Sequence, residues 1–299
     1  MKLVKDKRSI LADFSLVLVA IIWGSGFIFM KNTLEYLDPV HIISLRFIIS
    51  FIVMALIFFK KLKTISLRDL KAGAIIGLFL FAAFLSQTVG LQYTTVSNQA
   101  FITASNVVLV PYLYWFISKN KPKTSEIMAV ILCFIGIGIL SIEKGFNIGL
   151  GDGLTMICAV FFACHIVSIG LYSKKHDPIV LIIIQFGVAG ILCLLTAFIM
   201  KTPFKPMTEE VTFSILYMSL VGTILAFGIQ NIAQKYTSST HAALILSTES
   251  VFGSLFAIFL LGEKLTIKLI IGSLLVLISI IIAEAPTRET KLNKKHLNL

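Results

Sequence analysis

The sequence predicts an all-α, polytopic membrane protein with ten transmembrane helices in two inverted five-helix repeats. Three observations carry that prediction. The first is composition: of 299 residues, 57% are hydrophobic and only 14% charged, with a mean hydropathy of +0.95. A soluble domain is about 25% charged and could not hide so much apolar surface. The second is patterning. Charges fall in short runs between apolar stretches of roughly 17–24 residues, each long enough to cross about 30 Å of hydrocarbon as a helix. The third is that the chain matches itself. Lipid offers the backbone no hydrogen-bond partner, so such spans must be helices or a closed barrel, and the alternation of a barrel is absent.

The spans follow in order. The first, 14–31, has a basic approach and an apolar run, as a signal peptide does. It carries Trp23, Gly24 and Ser25 and no small-residue cleavage site, so it reads as a retained helix. The second, 41–59, enters on Asp38-Pro39 and contains Arg46. The third, 70–91, holds Gly73 and Gly77, a spacing that means close helix packing, and Gln87. The fourth, 97–117, holds Asn106. The fifth is 126–142. The sixth, 154–172, holds His165, and the seventh, 179–199, enters on Asp177-Pro178. The eighth, 212–232, holds Gln230; the ninth, 240–261, holds Glu249; the tenth is 267–283. The four cysteines (Cys133, Cys158, Cys164, Cys193) lie inside spans without CxxC spacing and read as packing residues.

The net charge of +11 would suggest nucleic acid in a soluble protein; here its placement indicates orientation instead. With the N-terminus cytoplasmic, 19 of the 26 basic residues fall on the cytoplasmic side, from Lys2 to Arg8, in the connections that follow and in the tail from Arg288. The outer connections keep Lys31, Lys144, Lys201, Lys205, Lys264 and Lys268. That asymmetry puts both termini on the cytoplasmic side of the cell membrane, with the basic tail against anionic inner lipid.

Residues 13–51 align with 152–190 at a shift of 139, matching Asp13 to Asp152 and Phe47 to Phe186. Later segments align at a shift of 143: Phe84 meets Phe227, Gln87 meets Gln230, and Asn106 meets Glu249. The units are 1–145 and 146–299. An odd helix count turns the second copy over, which is the inverted-repeat plan of secondary transporters.

"IIWGSGFIFMK" in the first span, "DPVHIISLRF" entering the second and "LSTESVFGSLFAIFLLGEKLT" in the ninth resemble the EamA family of the drug/metabolite transporter superfamily. The resemblance implies ten helices, cytoplasmic termini, and transport, often export, of small metabolites such as amino acids. It also implies a cavity surrounded by the first four helices of each half. The chain departs from the family pattern at Ser250, where a proline often follows the glutamate, and at Ser118–Pro122, where the Gly-Glu turn kept as Gly262-Glu263 is replaced.

Polar residues at membrane depth are the candidate substrate site. Glu249 near the midplane costs at least about 2.5 kcal/mol on insertion scales unless compensated. It either lines a cavity, binding a cationic group or carrying a proton, or is locked to a structural partner. Arg46 is the obvious partner: it lies about 8–9 Å below the outer edge, and Glu249 about 15 Å above the inner one. Arg46 also reads as a clamp for a substrate carboxylate. Gln87 and Gln230 suit a zwitterion or an interhelical bond, and Asn106 divides in the same way. His165 is either a titrating group or a neutral buried one. Trp23 either stacks on ligand or packs.

"GLGDG" (Gly149–Gly153) follows no strand and is no phosphate cradle; no Walker A motif or metal cluster occurs, so no cofactor and no enzyme activity are expected. The expected partners are a small-molecule substrate, protons and the bilayer, with no nucleic acid. The expected function is secondary-active transport of a small metabolite such as an amino acid by alternating access, as exporter or exchanger. The alternative is efflux of lipophilic cations through the same fold. A membrane enzyme or scaffold would need a catalytic constellation or an extramembrane domain, and the sequence has neither.

Overall fold

The computed structural model describes residues 7–118, 124–141, 148–237 and 239–284. The basic tail from Arg288, and most of the Ser118–Pro122 connection, lie outside the described residues. Within them the chain is helical and contains no β-strand: α1 (Lys7–Thr33), α2 (Pro39–Ile57), the single turn α3 (Phe59–Leu62), α4 (Leu67–Leu91), α5 (Val96–Ala104), α6 (Asn106–Ser118), α7 (Thr124–Ser141), α8 (Leu150–Tyr172), α9 (Pro178–Met200), α10 (Glu209–Ser219), α11 (Ala226–Ala233), α12 (Ser239–Leu246), α13 (Glu249–Leu261) and α14 (Ile267–Glu284). A π-helical segment, Leu220–Leu225, joins α10 to α11.

Among the described residues eight stretches are long and apolar enough to cross a membrane: Ile10–Thr33, Pro39–Ile57, Leu67–Leu91, Val96–Ile117, Leu150–Tyr172, Pro178–Met200, Glu209–Ala233 and Ala242–Leu261. The apolar cores of α7 and α14, Ile127–Leu140 and Ile267–Ile282, are shorter. Helices therefore make up most of the described residues of all ten apolar stretches read from the sequence, and eight stretches meet the spanning length.

Local chemistry sets the ends. Pro39 and Pro178 occupy first-turn positions, where a missing N–H costs nothing. Ser66 and Asp69 form a reciprocal capping box on α4. Gly262 ends α13 at φ +67°, a left-handed conformation open to glycine.

Helix pairing crosses between the two halves. α4 packs on α8 and α9, α2 on α9, α1 on α13, and α7 on α14. Gly73 and Gly77 lie against α9: a Cβ on Gly77 would come within 2.9 Å of the Gln185 carbonyl oxygen, so the close-packing reading of that pair describes this interface. Phe47, Phe84, Phe186 and Phe227 form an aromatic core, with Phe47 and Phe84 edge to face at 5.2 Å. The four cysteines are free thiols, three of them fully buried.

Two spans are broken. The fourth stops at Ala104 and restarts at Asn106; the ninth stops at Leu246 and restarts at Glu249. Hydroxyls at both breaks turn back onto the preceding carbonyls: Ser105 Oγ donates to Ile102 O at 2.6 Å, and Thr248 Oγ1 to Ile245 O at 2.7 Å. Such back-bonding competes with the helical ladder. Backbone bonds of the tighter i−3 kind follow, Val108 N to Ser105 O and Val251 N to Thr248 O. Ser105 and Thr248 are equivalent at the shift of 143 read from the sequence.

Candidate functional site

The breaks face a central cavity. Trp23, Arg46, Gln87, Asn106, His165, Gln230 and Glu249 all line it, so the structure brings together every residue singled out from the sequence. The cavity volume is about 60 Å³. One buried water needs about 10–15 Å³ by that measure, so the space suits a handful of waters or a compact solute.

Six pairs of lining residues are related by the two sequence shifts: Trp23 with Phe162, Gly26 with His165, Phe27 with Ile166, Phe84 with Phe227, Gln87 with Gln230, and Asn106 with Glu249. The walls are largely aromatic. Trp23 meets Phe227 at 5.0 Å between centroids, and Phe84 meets Phe162 edge to face at 5.4 Å.

Arg46 is 5% exposed. Its Nε donates to Thr223 Oγ1 at 2.5 Å and its Nη2 to the Gly222 carbonyl oxygen at 3.0 Å. Trp23 Nε1 donates to the same carbonyl at 3.0 Å. The guanidinium carbon sits 4.5 Å from the Phe84 ring centroid, a cation–π contact. Thr223 Oγ1 in turn donates to Met218 O at 2.8 Å. The π segment therefore presents a carbonyl and a hydroxyl side by side to one guanidinium, a use typical of such bulges at functional positions.

Glu249 is 7% exposed. Among the described residues its carboxylate has neither an ion-pair nor a hydrogen-bond partner. The direct Arg46–Glu249 pairing weighed from the sequence is not formed: Arg46 turns to the π segment, which supplies two acceptors without a second buried charge. A guanidinium with no acid beside it and a carboxyl group with no partner among the described residues thus face the same small space.

The amides divide. Gln87 Nε2 donates to Thr103 Oγ1 at 3.3 Å, while Gln230 Oε1 is buried without a partner. The Asn106 side chain is buried and makes no hydrogen bond among the described residues. His165 Nε2 lies 3.0 Å from Gln185 Oε1. That bond fits the satisfied, buried reading of this histidine, although its ring also reaches the cavity.

Sequence reasoning missed Gln99, Phe162, Gly222 and Thr223. Gln99 Nε2 donates to the Gln87 carbonyl oxygen at 2.6 Å and leaves Oε1 buried and unpartnered. Phe162 was reachable, because it is Trp23 shifted by 139. Gly222 and Thr223 carry no sequence signal, since their role depends on a backbone irregularity. Among the described residues no group of three His, Cys, Asp or Glu side chains gathers to hold a metal.

The chain matches the description "EamA-like transporter family" over two segments, residues 10–142 and 149–284. It is 38% identical over 275 residues to an uncharacterized transporter of Archaeoglobus fulgidus, covering 92% of this chain and 86% of that one. It is 26% identical over 287 residues to a probable amino-acid metabolite efflux pump of Salmonella typhimurium, covering 88% and 91%. A solved crystal structure, 14% identical with a TM-score of 0.65, covers 97% of this chain and 99% of its own and shares the fold. A bundle of membrane-length helices around a cavity, matched twice along the chain by one family, makes this protein a membrane transporter of the EamA-like family.

Proposed function

We propose that this transporter carries a small zwitterionic metabolite, an amino acid or close relative, by secondary-active alternating access. The observation that carries the reading is that an arginine and a glutamate, Arg46 and Glu249, neither with an ion-pair partner among the described residues, line one compact cavity. A buried charge without a partner is costly, and a zwitterion supplies both missing partners at once. In this reading the carboxylate of the solute meets the free edge of Arg46 and its ammonium meets Glu249. Gln87, Gln230 and Asn106 satisfy the remaining polar atoms, and Trp23 and the phenylalanines cover the apolar part. His165 borders the site.

The architecture in this reading is ten helices, with residues 1–145 and 146–299 as inverted halves and both termini cytoplasmic in the cell membrane. The matched breaks at Ser105 and Thr248, the paired cavity lining and the two family matches support it. Two comparable packings then expose the cavity to either side in turn. Net movement is outward or by exchange, and Glu249 carries a proton when no ammonium group occupies it. The amino-acid metabolite efflux relative supports the substrate class.

The rival reading, efflux of lipophilic cations, draws on the aromatic walls and Glu249. Arg46 weighs against it, because a cation gains nothing from a guanidinium nearby. The deciding experiment is a thermal-shift panel on purified protein: neutral amino acids, each beside its matched amine and matched carboxylic acid, plus quaternary cations. A ligand of the folded state raises the melting temperature by mass action. An amino acid that shifts it while both of its halves do not supports the zwitterion reading. Shifts by quaternary cations, with none by amino acids, replace it with the rival.

A further inference from the structure

One carboxylate stands apart from the cavity and bridges the two halves. Glu263 follows Gly262, whose left-handed turn ends α13. Its Oε1 accepts from Val96 N at 2.7 Å and its Oε2 from Ser97 N at 3.1 Å. These are the first two amides of α5. The third free amide, Asn98 N, is already taken by Thr95 Oγ1 at 3.1 Å. A side chain of the second half thus completes the cap of a helix in the first half, with negative charge at the positive helix end.

The two elements it joins are the half-helices that lead away from the breaks. α5 runs from Val96 to the break before Asn106, and α13 runs from Glu249 to Gly262. Beneath the carboxylate they meet without spare room. A Cβ on Gly253 would lie 3.2 Å from the Ala100 Cβ, and one on Gly24 of α1 would lie 2.7 Å from the Phe252 Cβ and 2.9 Å from the Gly253 amide. At this end of the cavity, α1, α5 and α13 are in backbone-close contact.

The repeat-related end differs in sequence. At the repeat shifts Gly24 corresponds to Ala163, Gly253 to Val110, and Glu263 to Asn120. Both glycines become larger residues, and the carboxylate becomes a neutral amide that cannot accept from two amides with a full charge. The two ends of the cavity are therefore unequal by sequence.

We propose that Glu263 is a charge clamp that holds the cavity shut on its own membrane face. The resting transporter then keeps that face closed and opens more readily to the other. This rests on the alternating-access reading above, and by the charge placement in the sequence the closed face is the outer one.

The test needs no substrate. Gly26 lines the cavity, and a Cβ there meets nothing within 4 Å, so Gly26→Cys is a cavity probe in a background without the four native cysteines. Lys264→Cys, exposed beside the clamp, reports which face Glu263 occupies. A membrane-impermeant maleimide is applied to each face in turn. Glu263→Gln keeps the shape of the side chain and removes its charge. Val96→Pro removes the donor to Oε1 at a first-turn position that tolerates proline, after a residue already extended at φ −80°, ψ 155°.

Both changes should speed labelling of the probe from the Glu263 face by about five- to tenfold and slow it from the opposite face. The double variant should do little more than either single one. Unchanged labelling on the Glu263 face overturns the clamp, as does an equal rise on both faces, which is general loosening. A rise on the Glu263 face with no fall on the other upholds the clamp and fails the alternating-access reading.

Discussion

Thr223→Val gives a quantitative test of how Arg46 is held. The substitution keeps the volume and the branching of the side chain but removes the oxygen that accepts from Nε at 2.5 Å. The Nη2 bond to Gly222 O and the contact with Phe84 remain. A hydrogen bond to a charged group is worth about 1.5–3 kcal/mol. Neutral interhelical bonds in membranes average only about 0.6 kcal/mol, and the neutral bond of Thr223 to Met218 O, within its own span, adds no more than that. The expected destabilisation is about 2 kcal/mol, most of it from the guanidinium. Thr223→Ser, which keeps the oxygen, should stay within about 0.5 kcal/mol of wild type. The assay is reversible unfolding in mixed micelles, run as a double-mutant cycle with Arg46→Met. Once the guanidinium is gone, Thr223→Val should cost well under 1 kcal/mol, a coupling of about 1.5 kcal/mol. An equal cost in both backgrounds would refute the pairing and return Thr223 to an ordinary helix-bending role.

Four further substitutions have outcomes fixed by their surroundings. Gly77→Ala should destabilise by about 1–3 kcal/mol, since its Cβ would press on the α9 backbone; Gly26→Ala, with open space around it, should be neutral or stabilising by up to about 1 kcal/mol through helix propensity. Glu249→Gln in proteoliposomes should abolish the pH dependence of solute flux, and an unchanged pH profile would remove Glu249 from proton coupling. Partial burial raises the Asp177 carboxyl, but the Lys61 hydrogen bond, the Ile179 amide and the charges of Lys61 and Lys235 outweigh it and hold the group below its ordinary value. A depressed carboxyl stabilises above its unfolded value and loses that contribution as pH falls through the folded one. The melting-temperature gap between wild type and Asp177→Asn, which keeps a capping side chain, should therefore be full near neutrality and shrink below the usual carboxylate range.

The candidate site was legible to an unusual degree because hydrocarbon makes polar residues conspicuous. In a soluble chain, Gln87, Gln230 or Asn106 would be one polar residue among dozens. Inside an apolar span, each has to find a partner or a cavity. The same solvent made the helices legible, since a stretch of twenty apolar residues has few other structures open to it. Gln99 lies near the start of its span, where a polar residue is less conspicuous.

What hydropathy and self-similarity could not determine is where the helices stop being regular. Nothing in "LSTES" or "TASNV" announces a break, and nothing in "LVGTIL" announces a π turn. The π turn depends on a neighbouring helix offering donors to its carbonyls, and those donors lie far away in sequence, as Arg46 and Trp23 do from Gly222. For that reason the sequence alone determined the class of protein, its spans and the residues worth watching. Only the tertiary structure decided that Arg46 leaves Glu249 alone, because the choice was between two acceptors whose positions exist only after the two halves have packed.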